Sequence, residues 1–140
     1  LVELCLRLSK FKKENKELLT YLLFESSDEG EYIQSVKNVI DEQFETINTN
    51  NFYFIKKSVR KILRLIKKFS RYSLKKETEV ELLLYFCLKL KEFKPSIHKN
   101  TTLVNLYKRQ ILSIQKLVAT LHEDLQYDYQ LQIDALENLF

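Results

Sequence analysis

Helix breakers are nearly missing from this chain: its 140 residues include one glycine, Gly30, and one proline, Pro95. Sheet proteins spend many glycines and prolines on tight turns, so this shortage excludes an ordinary all-β fold. It also excludes phosphate-cradling loops, in which backbone amides approach a phosphate only where no Cβ intervenes. One glycine makes neither a Walker loop nor a dinucleotide-binding turn. Long apolar runs are missing too: the longest, Leu82 to Leu88 (LLLYFCL), is far short of the ~20 residues that cross a bilayer.

Methionine is absent, even at position 1, so the chain reads as a piece of a longer one. The opening LVELCLRLSKFKK carries Glu3 and Arg7 among its apolar residues and lacks the continuous hydrophobic region of a secretory signal. Only two cysteines occur, Cys5 and Cys87, each among apolar neighbours at helical spacing. They read as two buried free thiols of a cytoplasmic protein, not as a disulfide framework.

Chemistry-bearing motifs are equally scarce. His98 and His122 stand apart, and no HxxxH, ExxH or CxxC spacing occurs, so neither a metal site nor a cofactor is expected. A serine nucleophile would lack an elbow motif, and either cysteine would sit where apolar surroundings suppress the thiolate. The reading is a non-enzyme.

What the chain has is helical periodicity in a single domain of 140 residues, a size that supports a core without metals or disulfides. Leu4, Leu8, Phe11, Leu18, Tyr21 and Leu22 mark a first helix. Ser27 or Asp28 caps a second, with Tyr32, Ile33, Val36, Ile40, Phe44 and Ile47 on one face. A third runs from about Phe52 to Phe69, and a fourth from about Lys75 to Phe93, closed by Pro95. The fourth is apolar on every side, which marks a central helix. Thr101 or Thr102 caps a fifth, with Leu103, Tyr107, Ile111, Ile114, Val118, Leu121 and Leu125 along it. It either breaks near Asp124 to Gln130, with Asp128 capping a sixth helix, or continues as one long rod. The fold class is all-α: an irregular antiparallel bundle of five to six helices, with stacked helical hairpins as the alternative.

The strongest single feature is a charge asymmetry. Residues 46 to 76 carry ten basic side chains and no acidic one, whereas residues 1 to 45 carry six against ten and residues 77 to 140 seven against nine. The net charge of +4 therefore conceals a polarised molecule. On a wheel of about 100° per residue, Lys56, Lys57, Arg60, Lys61, Arg64, Lys67, Lys68 and Arg71 fall within about 140° of arc. Phe52, Ile55, Val59, Ile62, Leu63, Leu65, Ile66 and Phe69 lie opposite.

Four roles compete for this cationic face. Charge runs are commonly solvated, or paired within the molecule; Asp41, Glu42 and Glu45 are the nearest candidates. The face can instead receive an acidic protein partner, or another copy of the chain. It can contact phosphates without sequence choice, although Phe52, Phe54 and Phe69 are expected on the core side, leaving Tyr53 and Tyr72 to stack on bases. A basic face opposite Phe, Ile and Leu also resembles an interfacial helix, but the neighbouring helices need that apolar side. The reading preferred from sequence is an interaction module for an acidic protein partner or for self-association. The alternative is sequence-nonspecific nucleic-acid binding through the same eight residues.

Overall fold

A computed structural model describes residues 28–137, together with Arg7. The predicted first helix and Cys5 lie outside the described residues. Five α-helices follow: α1 (Glu29–Glu45), α2 (Phe52–Ser73), α3 (Lys76–Glu92), α4 (Thr101–Val118) and α5 (Glu123–Glu137). A single 3-10 turn, Ile97–Lys99, sits between α3 and α4. No strand occurs among the described residues, and the all-α bundle expected from sequence is what the chain forms.

The arrangement follows from α3. Its buried residues include the consecutive Leu82, Leu83 and Leu84, together with Val80, Phe86, Cys87 and Leu90. Three successive helical residues point about 100° apart, so they can be buried together only if neighbours surround the helix. They do: α3 packs on α1, α2, α4 and α5. α1 and α2 also pack on each other, as do α4 and α5. Two helix pairs thus share one central member.

Three buried tyrosines and the half-buried Tyr85 tie the helices together, each hydroxyl finding an acceptor on another helix. Tyr32 on α1 donates to the Phe69 carbonyl of α2 at 2.8 Å. Tyr85 on α3 donates to Asp41 of α1 at 2.5 Å. Tyr129 on α5 reaches Glu81 of α3 at 2.9 Å, and Tyr107 on α4 reaches the Leu136 carbonyl of α5 at 2.8 Å.

The starts of α1, α2 and α4 are set by local side chains. Asp28 caps α1 by accepting the Glu31 amide at 3.0 Å, one of the two residues predicted for that role. Asn51 caps α2 by accepting the Phe54 amide at 3.1 Å. For α4 the expectation was one or two residues late: Asn100, not Thr101 or Thr102, accepts the Leu103 amide at 3.2 Å. Its extended backbone makes it the last non-helical residue, the position from which a short side chain reaches the first free amides.

The break between α4 and α5 also falls earlier than predicted, at residues 119–122, and Asp128 lies exposed inside α5 instead of capping it. No glycine or proline marks the site. The backbone tightens there, with the Thr120 amide on the Leu117 carbonyl and the Leu121 amide on the Val118 carbonyl. Gln126 then reaches back to the carbonyls of Ala119 and Leu121, at 3.2 and 2.7 Å. His122 accepts the Asp124 amide on Nδ1 at 3.3 Å. The fold-back lets Tyr129, Ile133 and Leu136 be buried.

The α2–α3 turn is held from outside. Glu29, in the first turn of α1, accepts the hydroxyls of Ser73 and Thr78 and lies 3.5 Å from the Lys75 ammonium. Leu74 takes a left-handed backbone there, at φ 58°, with its side chain 86% exposed. A leucine in this conformation is disfavoured by about 1–2 kcal/mol, and an exposed side chain recovers little of it by packing. Leu74→Gly is expected to raise stability by roughly 0.5–1 kcal/mol after glycine's larger entropy loss is subtracted; urea unfolding followed by circular dichroism checks this.

Candidate interaction face on helix α2

The cationic stripe is built by the packing of α2. Ile55, Val59, Ile62, Leu63 and Ile66 are buried, on the side that meets α1 and α3. Because the helix period keeps residues of one class on one side, burying these turns the lysines and arginines outward. Lys57, Arg60, Lys61, Arg64, Lys67 and Arg71 are exposed, while Lys56 and Lys68 are half-buried. The structure brings all eight predicted residues onto one outward face. From Lys56 to Arg71 it runs about 22 Å at 1.5 Å per residue.

Intramolecular neutralisation by Asp41, Glu42 and Glu45 does not occur as a paired surface. Asp41 is already taken: its carboxylate accepts the Tyr85 hydroxyl and lies 3.1 Å from the Lys89 ammonium. Lys56, Lys57, Arg60, Lys61, Arg64 and Lys67 form no ion pair with a described carboxylate. Lys68 lies over the Phe69 ring at 5.1 Å. Arg71 occupies the last turn of α2, where the helix dipole favours a cation.

Two aromatic positions differ from the expectation. Phe54, expected on the core side, is 39% exposed and meets the edge of Tyr53 with ring centroids 5.5 Å apart. Tyr72, expected near the charges, is only 5% exposed and packs its ring against Phe69 at 6.0 Å. Phe54 and Tyr72 are 18 residues apart, five full turns, and so project at the same angle. Phe54 lies in the first turn of α2, and Tyr72 lies at its end, where the chain folds back into α3. The cationic stripe therefore begins at an exposed aromatic pair, Tyr53, which was expected beside the charges, and Phe54, which was not.

Cys87 and His122 lie outside this face. Cys87 is a free, fully buried thiol, and burial pushes its pKa up to about 12. His122 is highly exposed and serves the start of α5, with its Nδ1 3.7 Å from Asp124. Among the described residues, no three His, Cys, Asp or Glu side chains gather to hold a metal ion. No described helix is long and apolar enough to cross a membrane.

Burial, then the hydrogen bond to Asp41, raises Tyr85 to about 12. Tyr129 is raised by burial and by its bond to Glu81, and Tyr107 by burial and the nearby Cys87 and Glu137. The sign is common to all four: the unfolded chain ionises at lower pH than the native one, so raising the pH favours unfolding. Stability is expected to be level below about pH 9 and to fall steadily from there towards pH 12. Urea midpoints measured across that range check it, and Cys87→Ala together with Tyr85→Phe makes the fall shallower.

No protein-family model, no curated protein and no solved structure matches this chain.

Proposed function

We propose that this chain is a non-enzymatic interaction module whose α2 face docks an acidic protein partner. One observation carries the proposal: six exposed or half-buried cations, Lys56, Lys57, Arg60, Lys61, Arg64 and Lys67, share one face, and none forms an ion pair with a described carboxylate. Like charges at i,i+4 repel by a few tenths of a kcal/mol each. Here Lys56 and Arg60, Lys57 and Lys61, and Arg60 and Arg64 are such pairs, and an acidic partner relieves them together.

The surface also suits recognition by its stiffness. Its residues stand on a 22-residue helix fixed along two neighbours, so little backbone order is lost when a partner binds. Long-range attraction towards an acidic surface speeds encounter, and added salt weakens it.

A second reading, contact with a nucleic-acid backbone, is supported by the exposure of Tyr53 and Phe54 at the head of the stripe. An aromatic pair beside cations provides a place for an unpaired base to stack. One aromatic pair at one end supports stacking there alone, whereas the charge spans about four turns. Phosphates and carboxylates can both use the whole stripe, so the single stacking place is what ranks the nucleic-acid reading second.

Fluorescence anisotropy separates the two readings, with a labelled Glu/Asp-rich peptide, a DNA duplex and a single strand as probes at several salt concentrations. The acidic peptide is expected to bind at low salt. Its affinity should fall at least about tenfold in Arg60→Glu/Arg64→Glu and on raising salt from about 50 to about 300 mM. Absence of peptide binding at low salt sinks the preferred reading. Tight single-strand binding lost in Tyr53→Ala/Phe54→Ala transfers the function to the second.

A further inference from the structure

The counterpart of the α2 face is present on the same molecule. α5 (EDLQYDYQLQIDALE) holds five carboxylates, Glu123, Asp124, Asp128, Asp134 and Glu137, and no lysine or arginine; all five are exposed. Its buried line, Tyr129, Ile133 and Leu136, faces the bundle. On the outer side Tyr127 and Leu131 are 69% and 57% exposed. At about 100° per residue those two point within about 40° of one another, with Asp124 and Asp128 on one flank and Asp134 on the other. The outer side of α5 is thus an apolar ridge bordered by acids.

We infer that the acidic partner of α2 is a second copy of this chain, docking through the outer face of α5. The inference rests on the reading of α2 as a docking surface and names what docks there. Charge is complementary residue class for residue class: α2 has eight cations and no carboxylate, α5 five carboxylates and no cation. Apolar content matches as well, because lysine and arginine stems cover exposed apolar groups while their heads reach the flanking acids. Arginine also stacks on a tyrosine face, which gives Tyr127 a partner.

The two faces do not satisfy each other within one chain. α2 packs on α1 and α3, α5 on α3 and α4, and none of Lys56, Lys57, Arg60, Lys61, Arg64 or Lys67 pairs with a described carboxylate. On α5, Asp134 accepts only the neutral Gln130 amide, at 2.8 Å, and Asp128 has no described cation within ion-pair distance. Each copy therefore offers one face of each kind, and the contact is heterologous. Two copies close by exchanging both contacts; otherwise they extend into larger assemblies.

Sedimentation velocity of the full chain tests this, from about 10 to about 500 µM protein, with circular dichroism confirming that each variant keeps its helices. At about 50 mM salt the average mass is expected to rise with concentration, and at about 500 mM to return to that of one chain. Arg60→Glu/Arg64→Glu and Asp128→Lys/Asp134→Lys should each stay monomeric. An equimolar mixture of the two variants should associate again, since one keeps an acidic α5 and the other a basic α2. A wild type that is monomeric throughout, or an Asp128→Lys/Asp134→Lys variant that associates like wild type, overturns the inference. If that monomeric wild type still binds the Glu/Asp-rich peptide, only the self-docking falls. If it binds no peptide either, the α2 docking surface falls with it.

Discussion

Everything about this molecule is arranged around burying α3 on all sides. A helix with Leu82, Leu83 and Leu84 in succession has no polar side to give to water, so the chain must bring helices to it from every direction. It does so in two pairs, α1 with α2 and α4 with α5. The outer helices have one apolar side each, used on the bundle, and their other sides are left to solvent. The basic face of α2 and the acidic face of α5 are what remains once α3 is covered.

That separation keeps opposite charges apart. The acids of α1 and α3 that lie near basic residues are used inside the bundle: Asp41 serves Tyr85 and Lys89, Glu81 serves Tyr129 and Lys37, and Glu29 serves the α2–α3 turn. These partly buried contacts are less screened by salt than surface charges are. They fix the helix pairs, and none of these three carboxylates forms an ion pair with Lys56, Lys57, Arg60, Lys61, Arg64 or Lys67.

The cationic stripe was legible because it is a matter of period: Lys56 through Arg71 recur at the spacing that the buried Ile55, Val59, Ile62 and Ile66 dictate. Of the stripe's aromatic head, Tyr53 was legible and Phe54 was not. Phe54 and Tyr72 share one projection angle, and their opposite burial depends on how far the neighbours extend along α2. The acidic complement on α5 was hidden for a different reason. Its carboxylates are spread among Gln, Tyr and Leu, and its outer face could be recognised only once the fold-back at residues 119–122 showed which residues are buried.

By itself the sequence determined the all-α class, the centrality of α3 and the side on which α2 is basic, while leaving open whether α4 and α5 are one helix or two. Each follows from local spacing, from the scarcity of glycine and proline, or from apolar residues on every side of one segment. Tertiary structure decided where α4 stops, which aromatics face water and which acids are spent within the fold. Those outcomes depend on Gln126 reaching back to the Ala119 and Leu121 carbonyls, and on Asp41 meeting Tyr85 across two helices. They arise from contacts between neighbouring elements, and no helical period encodes where another helix will end.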